Sequence, residues 1–452
     1  MKNHLNRRDF IKAIAATGVT LAVGDDLMAA VSHENRTFPW RPVSAGQPMA
    51  TVRIGYVGVG GMGMAHVENL LKIEGAEIVA VCDIVEERVK QALDRVEKAG
   101  FKRPVGYFKN ETDWQNLCDR PDVDLVYNAT PWQWHVPISV RAMQSGKHAA
   151  TEVPAALSID ECWELVETSE ATGKYCIMME NCNYDKIEMM ILNMVKKGLF
   201  GALLHAECGY LHDLRAVKHD MEGEGLWRRD FSMRRNGDLY PTHGLGPVMQ
   251  CFDINRGNYF DYLVSFSTKS RGLHQYAIDH FGAGSPQSKE VYTLGDVVNT
   301  LIRTMNGETI LVTHDTSSPR PYSRGIMVQG TRGLVRKYPE PKIYIEGISQ
   351  TDDQWEPIND YLKKYQHPVW TELETASVGA GHGGMDFVED YRLINALLKG
   401  IEPDMDVYDA VAMSVVTPLS ERSIAAKGKP FKFPDFTRGM WKTQRELPVM
   451  KG

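Results

Sequence analysis

From residue 53 onward, short apolar runs alternate with longer amphipathic stretches, and glycine marks many of the turns between them. Residues 53–57 (Arg-Ile-Gly-Tyr-Val) form the first run, and a helical pattern follows through Leu71. Residues 77–82 form a second run ending at Asp83, and a charged helix is expected over 85–99. Runs at 124–130 and 148–152 flank a helix that closes on Ser145-Gly146. Ser158 suits an N-cap for a helix to about Thr172, and a strand at 175–179 ends the series. Strands alternating with helices across short turns predict a parallel, doubly wound sheet. Beyond Gly201 the texture changes. Runs at 203–210, 262–267, 297–305 and 309–313 predict longer strands joined by loops rather than regular helices. Helices are expected over 386–398 and 407–426.

The first run leads directly into Gly58-Val59-Gly60-Gly61-Met62-Gly63, which opens the first helix and lies 20 residues before Asp83. In that setting Gly58 permits a tight turn, Gly60 lets a pyrophosphate approach the backbone, and Gly63 allows close helix–strand packing. The helix N-terminus offers free N–H groups to the phosphates. Asp83 is placed to accept the ribose hydroxyls and to repel a 2′-phosphate, which predicts NAD as cofactor. The expected fold class is therefore α/β. A Rossmann doubly wound parallel sheet over 51–180 is followed by an α+β domain with a large mixed or antiparallel sheet over 181–452. Ligands lie at the carboxyl ends of parallel strands, which adds Thr130-Pro131-Trp132-Gln133-Trp134-His135 and Glu152-Val153-Pro154 to the candidate site.

The N-terminus has a different character. Asn6-Arg7-Arg8-Asp9-Phe10-Ile11-Lys12 precedes a mildly apolar, alanine-rich stretch over 13–24. The pattern resembles a twin-arginine export signal, and the stretch is too short for a membrane span. Residues 1–30 are expected to be that signal, 31–50 a linker, and the periplasm the destination. With a net charge of -7 and no basic run beyond the N-terminus, nucleic acid is excluded as a partner. The 7 cysteines lack CxxC spacing and read as core residues; the 14 histidines show no H-E-x-x-H, so no metal is expected. Nothing in the sequence excludes a homo-oligomer.

The Thr130-Pro131…His135 element and Glu152-x-Pro154 resemble the glucose–fructose oxidoreductase/inositol dehydrogenase superfamily. Ordinary members carry a lysine at the middle position of that tripeptide; this chain has Val153 and lacks that proton-handling group. Longer signatures resemble the NAD-dependent family 109 glycosidases, which act on α-N-acetylgalactosaminides. They are Glu180-Asn181-Cys182-Asn183-Tyr184, 209–215, 236–244, His314-Asp315-Thr316 with Arg320-Pro321-Tyr322, and 379–386. The resemblance implies NAD contacts from Gly61, Met62, Asp83, Trp132, Gln133, Trp134, His135, Glu152, Val153 and Asn181. It implies a sugar pocket of Tyr210, Arg228, Tyr240, Pro241, Thr242, His243 and Tyr322, with Tyr184 close to the chemistry.

NAD-dependent glycosidases depart from the usual pair of carboxylates. Oxidation at sugar C3 makes a ketone that acidifies the C2 proton, elimination releases the C1 group, water adds, and the hydride returns. An exported enzyme that regenerates its own NAD needs no external supply. Tyr184 and His243 are the candidates for the C2 base. A tyrosine starts near pKa ~10 and needs a nearby cation, whereas histidine titrates in the physiological range. The alternatives are an NAD-dependent sugar or cyclitol oxidoreductase, disfavoured by Val153 and export, and a non-catalytic NAD- or sugar-binding protein.

Overall fold

The computed structural model describes residues 46–221 and 223–451. The expected export signal and most of the linker lie outside the described residues. Among the described residues, no helix is long and apolar enough to cross a membrane.

The first sheet contains β1 (Val52–Val57), β2 (Ala76–Cys82), β3 (Val105–Tyr107), β4 (Leu125–Asn128), β5 (His148–Thr151) and β6 (Cys176–Met178). Their order is β3-β2-β1-β4-β5-β6, with every neighbouring pair parallel. The strands read as continuous apolar runs because both faces are covered. Ile54, Tyr56, Leu125 and Tyr127 face one apolar layer, while Val57 and Val126 face the other. Strand order reverses between β1 and β4, and the crevice at their carboxyl ends is where such sheets bind ligands.

The second sheet contains β7 (Leu203–Leu211), β8 (Phe260–Ser267), β9 (Val298–Thr304), β10 (Thr309–Asp315), β11 (Met327–Gly330), β12 (Gly333–Arg336), β13 (Lys342–Ile345), β14 (Glu356–Pro357) and β15 (Phe431–Lys432). Their order is β14-β13-β12-β11-β7-β10-β9-β8-β15. Only β7 and β10 pair in parallel, so the sheet is mixed, as expected. In β9 the buried residues Val298, Thr300, Ile302 and Thr304 alternate with exposed ones, the signature of a sheet covered on one face.

Two expectations are corrected. The connections in this half are largely helical: Arg215–His219, Glu224–Arg234 and Thr242–Cys251 lie between β7 and β8, and Gly272–Phe281 follows β8. Gly244, Gly246 and Pro247 give the third of these helices a loop-like composition. Gly244 is there for packing, since a Cβ would lie 2.2 Å from the Gly209 nitrogen of β7. The single helix expected over 407–426 is two helices, Val407–Ser414 and Val416–Ala425. Pro418 has no N–H for the Ser414 carbonyl, and the ladder breaks there.

The helix Met385–Lys399 packs across the boundary expected at 180/181. Phe387, Leu393, Ile394 and Leu397 join the apolar layer beneath β1 and β2. In the same interface the Asp390 carboxylate accepts hydrogen bonds from Asn69 Nδ2 at 3.1 Å and the Tyr127 hydroxyl at 3.0 Å. All seven cysteines are buried and free.

Candidate active site

The glycine turn after β1 has the geometry its sequence called for. Gly58 adopts φ +87°, and a Cβ there would lie 2.5 Å from the Ala129 carbonyl oxygen after β4. A Cβ at Gly63 would lie 2.0 Å from the Gly58 oxygen, so the helix Gly61–Leu70 sits directly on the turn. Around Gly61, by contrast, a Cβ would meet nothing within 4 Å, and no side chain caps the helix. That combination of open space and uncapped N–H groups fits a pyrophosphate. Asp83 at the end of β2 accepts the Val59 and Val85 N–H groups, each at 2.9 Å, which fixes its carboxylate beside the turn.

Around this crevice Trp132 is buried, Gln133 exposed and Trp134 half-buried. His135 is fully buried, its ring nitrogens 2.7 Å from the Pro154 carbonyl and 2.8 Å from the Thr130 carbonyl. It clamps the loops after β4 and β5 together, and burial lowers its pKa. Val153, next to Pro154 in sequence, is buried as well. Glu152 lies 3.1 Å from His66 Nε2, and His66 Nδ1 lies 2.8 Å from Asp390. Burial opposes the charge on His66, but these two carboxylates outweigh it and hold the imidazole protonated well above its ordinary range. Asn181 donates to Asp386 at 2.7 Å, and Asp386 holds His382 Nδ1 at 2.8 Å. His66 and Asp390 carry no local sequence signal for their contact, because they lie 324 positions apart in the chain.

The second set of candidates gathers above Glu180. This carboxylate is fully buried just after β6, and His243 Nδ1 lies 2.7 Å from its Oε1. Burial would raise the Glu180 pKa, but His243, Thr242 and the Cys182 N–H outweigh it and hold the group below its ordinary value. The Tyr210 ring lies 5.4 Å from His243 and 4.6 Å from Tyr240, and Tyr240 lies 4.9 Å from His243. Tyr322 completes the wall at 6.3 Å from Tyr210 and 5.0 Å from His212, whose Nδ1 meets the Tyr210 hydroxyl at 3.0 Å. Arg228 stands 5.1 Å over Tyr240, 5.2 Å over Trp132 and 4.7 Å over Trp227, with its Nε on Glu224 at 2.8 Å. Burial pushes the Tyr210 phenol up to about 12 and the Tyr240 and Tyr322 phenols upward as well, so all three stay neutral donors. Pro241 and Thr242 open the helix that carries His243.

Tyr184 is placed differently. Its hydroxyl donates to Asp404 at 3.1 Å, and Asp404 is itself held by Arg392 at 2.6 Å. Burial, with Asp404 and Glu389 nearby, raises the phenol well above its ordinary value. His382 sits half-exposed in left-handed backbone, φ 49°, next to Gly383 and Gly384. Hydrogen bonding to Asp386 raises its pKa. Glu180, Cys182 and His243 bring possible metal-ligand atoms within 4.8 Å of one another, the one such group among the described residues. The Cys182 thiol is held protonated by burial, and His243 Nδ1 is already engaged by Glu180.

Residues 52–180 match the oxidoreductase family with NAD-binding Rossmann fold, and residues 184–443 match the glycosyl hydrolase 109 C-terminal domain. A glycosyl hydrolase family 109 protein of Solibacter usitatus is 47% identical over 445 residues, covering 98% of this chain and 99% of its own. An alpha-N-acetylgalactosaminidase of Tannerella forsythia is 42% identical, covering 96% of this chain and 97% of its own. An inositol dehydrogenase homolog from Azotobacter vinelandii, solved in complex with NAD+, superimposes with a TM-score of 0.64. It is 18% identical and covers 86% of this chain and 99% of its own. The glycine turn, the order of the first sheet and the full-length matches agree: the chain belongs to glycosyl hydrolase family 109, with an NAD-binding Rossmann domain at its front.

Proposed function

We propose that the protein is an α-N-acetylgalactosaminidase that works with a resident NAD and no net redox change. The observation that carries this reading is the Glu180–His243 pair under a wall of neutral tyrosines, next to the strand ends of the dinucleotide fold. When bound, NAD supplies the oxidising equivalent that makes C3 of the sugar a ketone and restores it at the end. The turn at Gly58–Gly63, Asp83, and the loops at Trp132–His135 and Glu152-Val153 hold it, with Asn181 fixed by Asp386.

His243 is the C2 base. Glu180 accepts from Nδ1–H, which leaves Nε2 as the proton acceptor and stabilises the imidazolium that forms. The Asp404 contact and raised pKa of Tyr184 favour His243 over that phenol. The hydroxyls of Tyr210, Tyr240 and Tyr322 donate to sugar oxygens, and the Arg228 fork, held over three rings, takes the acetamide oxygen. Elimination cleaves the C1 bond, and water adds to C1 before the C2 proton returns. His382, held by Asp386, is a second proton-transfer group for the departing oxygen. We further propose export by the twin-arginine route to the periplasm, since that route carries a folded protein with its cofactor in place.

Incubation with p-nitrophenyl α-N-acetylgalactosaminide in deuterated water, without added NAD, tests the reading. Nitrophenol release with deuterium at C2 of the sugar is expected; no release across a panel of α- and β-glycosides overturns it. Net accumulation of NADH with a free sugar would instead establish the sugar or cyclitol oxidoreductase that the fold likeness also favours.

A further inference from the structure

Behind Arg228 and Tyr240 lies the ammonium of Lys218, 3% exposed. Its Nζ donates to the Thr316 hydroxyl at 2.7 Å and reaches the Ser317 hydroxyl at 3.4 Å. Among the described residues no carboxylate forms an ion pair with it: Asp315, whose Oδ2 holds Arg320 at 2.9 Å, and Asp296 act on it only from longer range. A buried cation without a counter-ion is costly. Burial and the charge of Arg228 outweigh the opposing pull of Asp315 and Asp296 and bring the Lys218 pKa down to about 7.

Lys218 and Arg228 line a small cavity with His314 and Thr316, walled by Trp132 and Tyr240. It has room for a single small species. His314 is 2% exposed, and its Nδ1 has no hydrogen-bond partner. The Thr316 oxygen accepts from Lys218, which leaves its own proton free to donate. The cavity thus presents an ammonium, a guanidinium, a hydroxyl proton and an unclaimed imidazole nitrogen, and none of the residues lining it is acidic.

We infer that this cavity binds a small monovalent anion of chloride type between Lys218 Nζ and His314 Nδ1–H. The anion replaces the missing carboxylate, keeps Lys218 charged and offsets the second positive charge beneath the Arg228–Tyr240 contact. The site is independent of which reaction the neighbouring pocket performs.

Crystals of the full chain soaked in sodium bromide provide the direct test. An anomalous peak between Lys218 and His314 is expected, absent from Lys218→Met. In solution, replacing chloride by gluconate at constant ionic strength is expected to lower the unfolding midpoint by about 2 °C in the native protein and not in Lys218→Met. A cavity holding only water in bromide, or a peak and midpoint shift that survive in Lys218→Met, overturns the inference. If Lys218→Met does not fold, bromide diffraction and the chloride–gluconate comparison on the native protein decide the question alone.

Discussion

The two halves of the molecule build their candidate binding surfaces from different materials. The first uses backbone: a glycine turn, uncapped helix N–H groups and the open ends of β1 and β4. The second uses side chains: Tyr210 from β7, Arg228 from the following helical stretch, His243 from the next with Tyr240 just ahead of it, and Tyr322 from the segment after β10. A site built mainly from backbone tolerates change in most side chains around it. A side-chain site fails residue by residue.

The sharpest probe of that contrast is His243→Ala, expected to lower kcat on the nitrophenyl glycoside by ~1000-fold while leaving bound NAD in place. Retained activity would remove His243 from the chemistry. Arg228→Lys keeps the charge but loses the fork and the stacking; KM is expected to rise by about 10- to 100-fold in steady-state kinetics, with a smaller change in kcat. In the backbone half, Gly63→Ala forces a Cβ against the Gly58 carbonyl and is expected to cost about 3 kcal/mol in urea unfolding, whereas Gly61→Ala, with open space around it, stays within roughly 0.5 kcal/mol. Equal losses at both positions would mean that the turn is not packed as described. Asp83→Asn removes the charge that repels a 2′-phosphate, and binding titrations are expected to show the NAD over NADP preference reduced by about 10-fold.

A further effect is one of pH. His148 on β5 accepts the Tyr175 N–H at 3.1 Å through Nδ1, and burial lowers its pKa from 6.5 to about 4. Its contribution is therefore present above pH 6.5 and lost as pH falls toward 4, by on the order of 1 kcal/mol per pH unit. Stability measured by urea unfolding from pH 7 to pH 4 is expected to fall less steeply in His148→Gln.

The same contrast explains what could be read from the chain before its structure. The first half was legible because its signals are local: a glycine cluster after an apolar run, an acid one strand later, alternating elements at short range. The strands β7 to β10 were also visible, but β11 to β14 are short and were not singled out. The helix at Thr242–Cys251 was hidden in part by Gly244, whose necessity comes from β7, more than thirty residues earlier in the chain. The sugar-side residues became candidates through family resemblance, since no periodicity links Tyr210 to Tyr322. The His66–Asp390 pair joins positions 324 apart and left no trace in spacing.

The Glu180–His243 contact joins those halves at one point. Glu180 follows the last strand of the first sheet, while His243 rides on the helix laid across β7 of the second. A hydrogen bond split in this way cannot be set by either half alone. Any drift between the sheets lengthens it first, so the 2.7 Å contact acts as a gauge of alignment between the two layers.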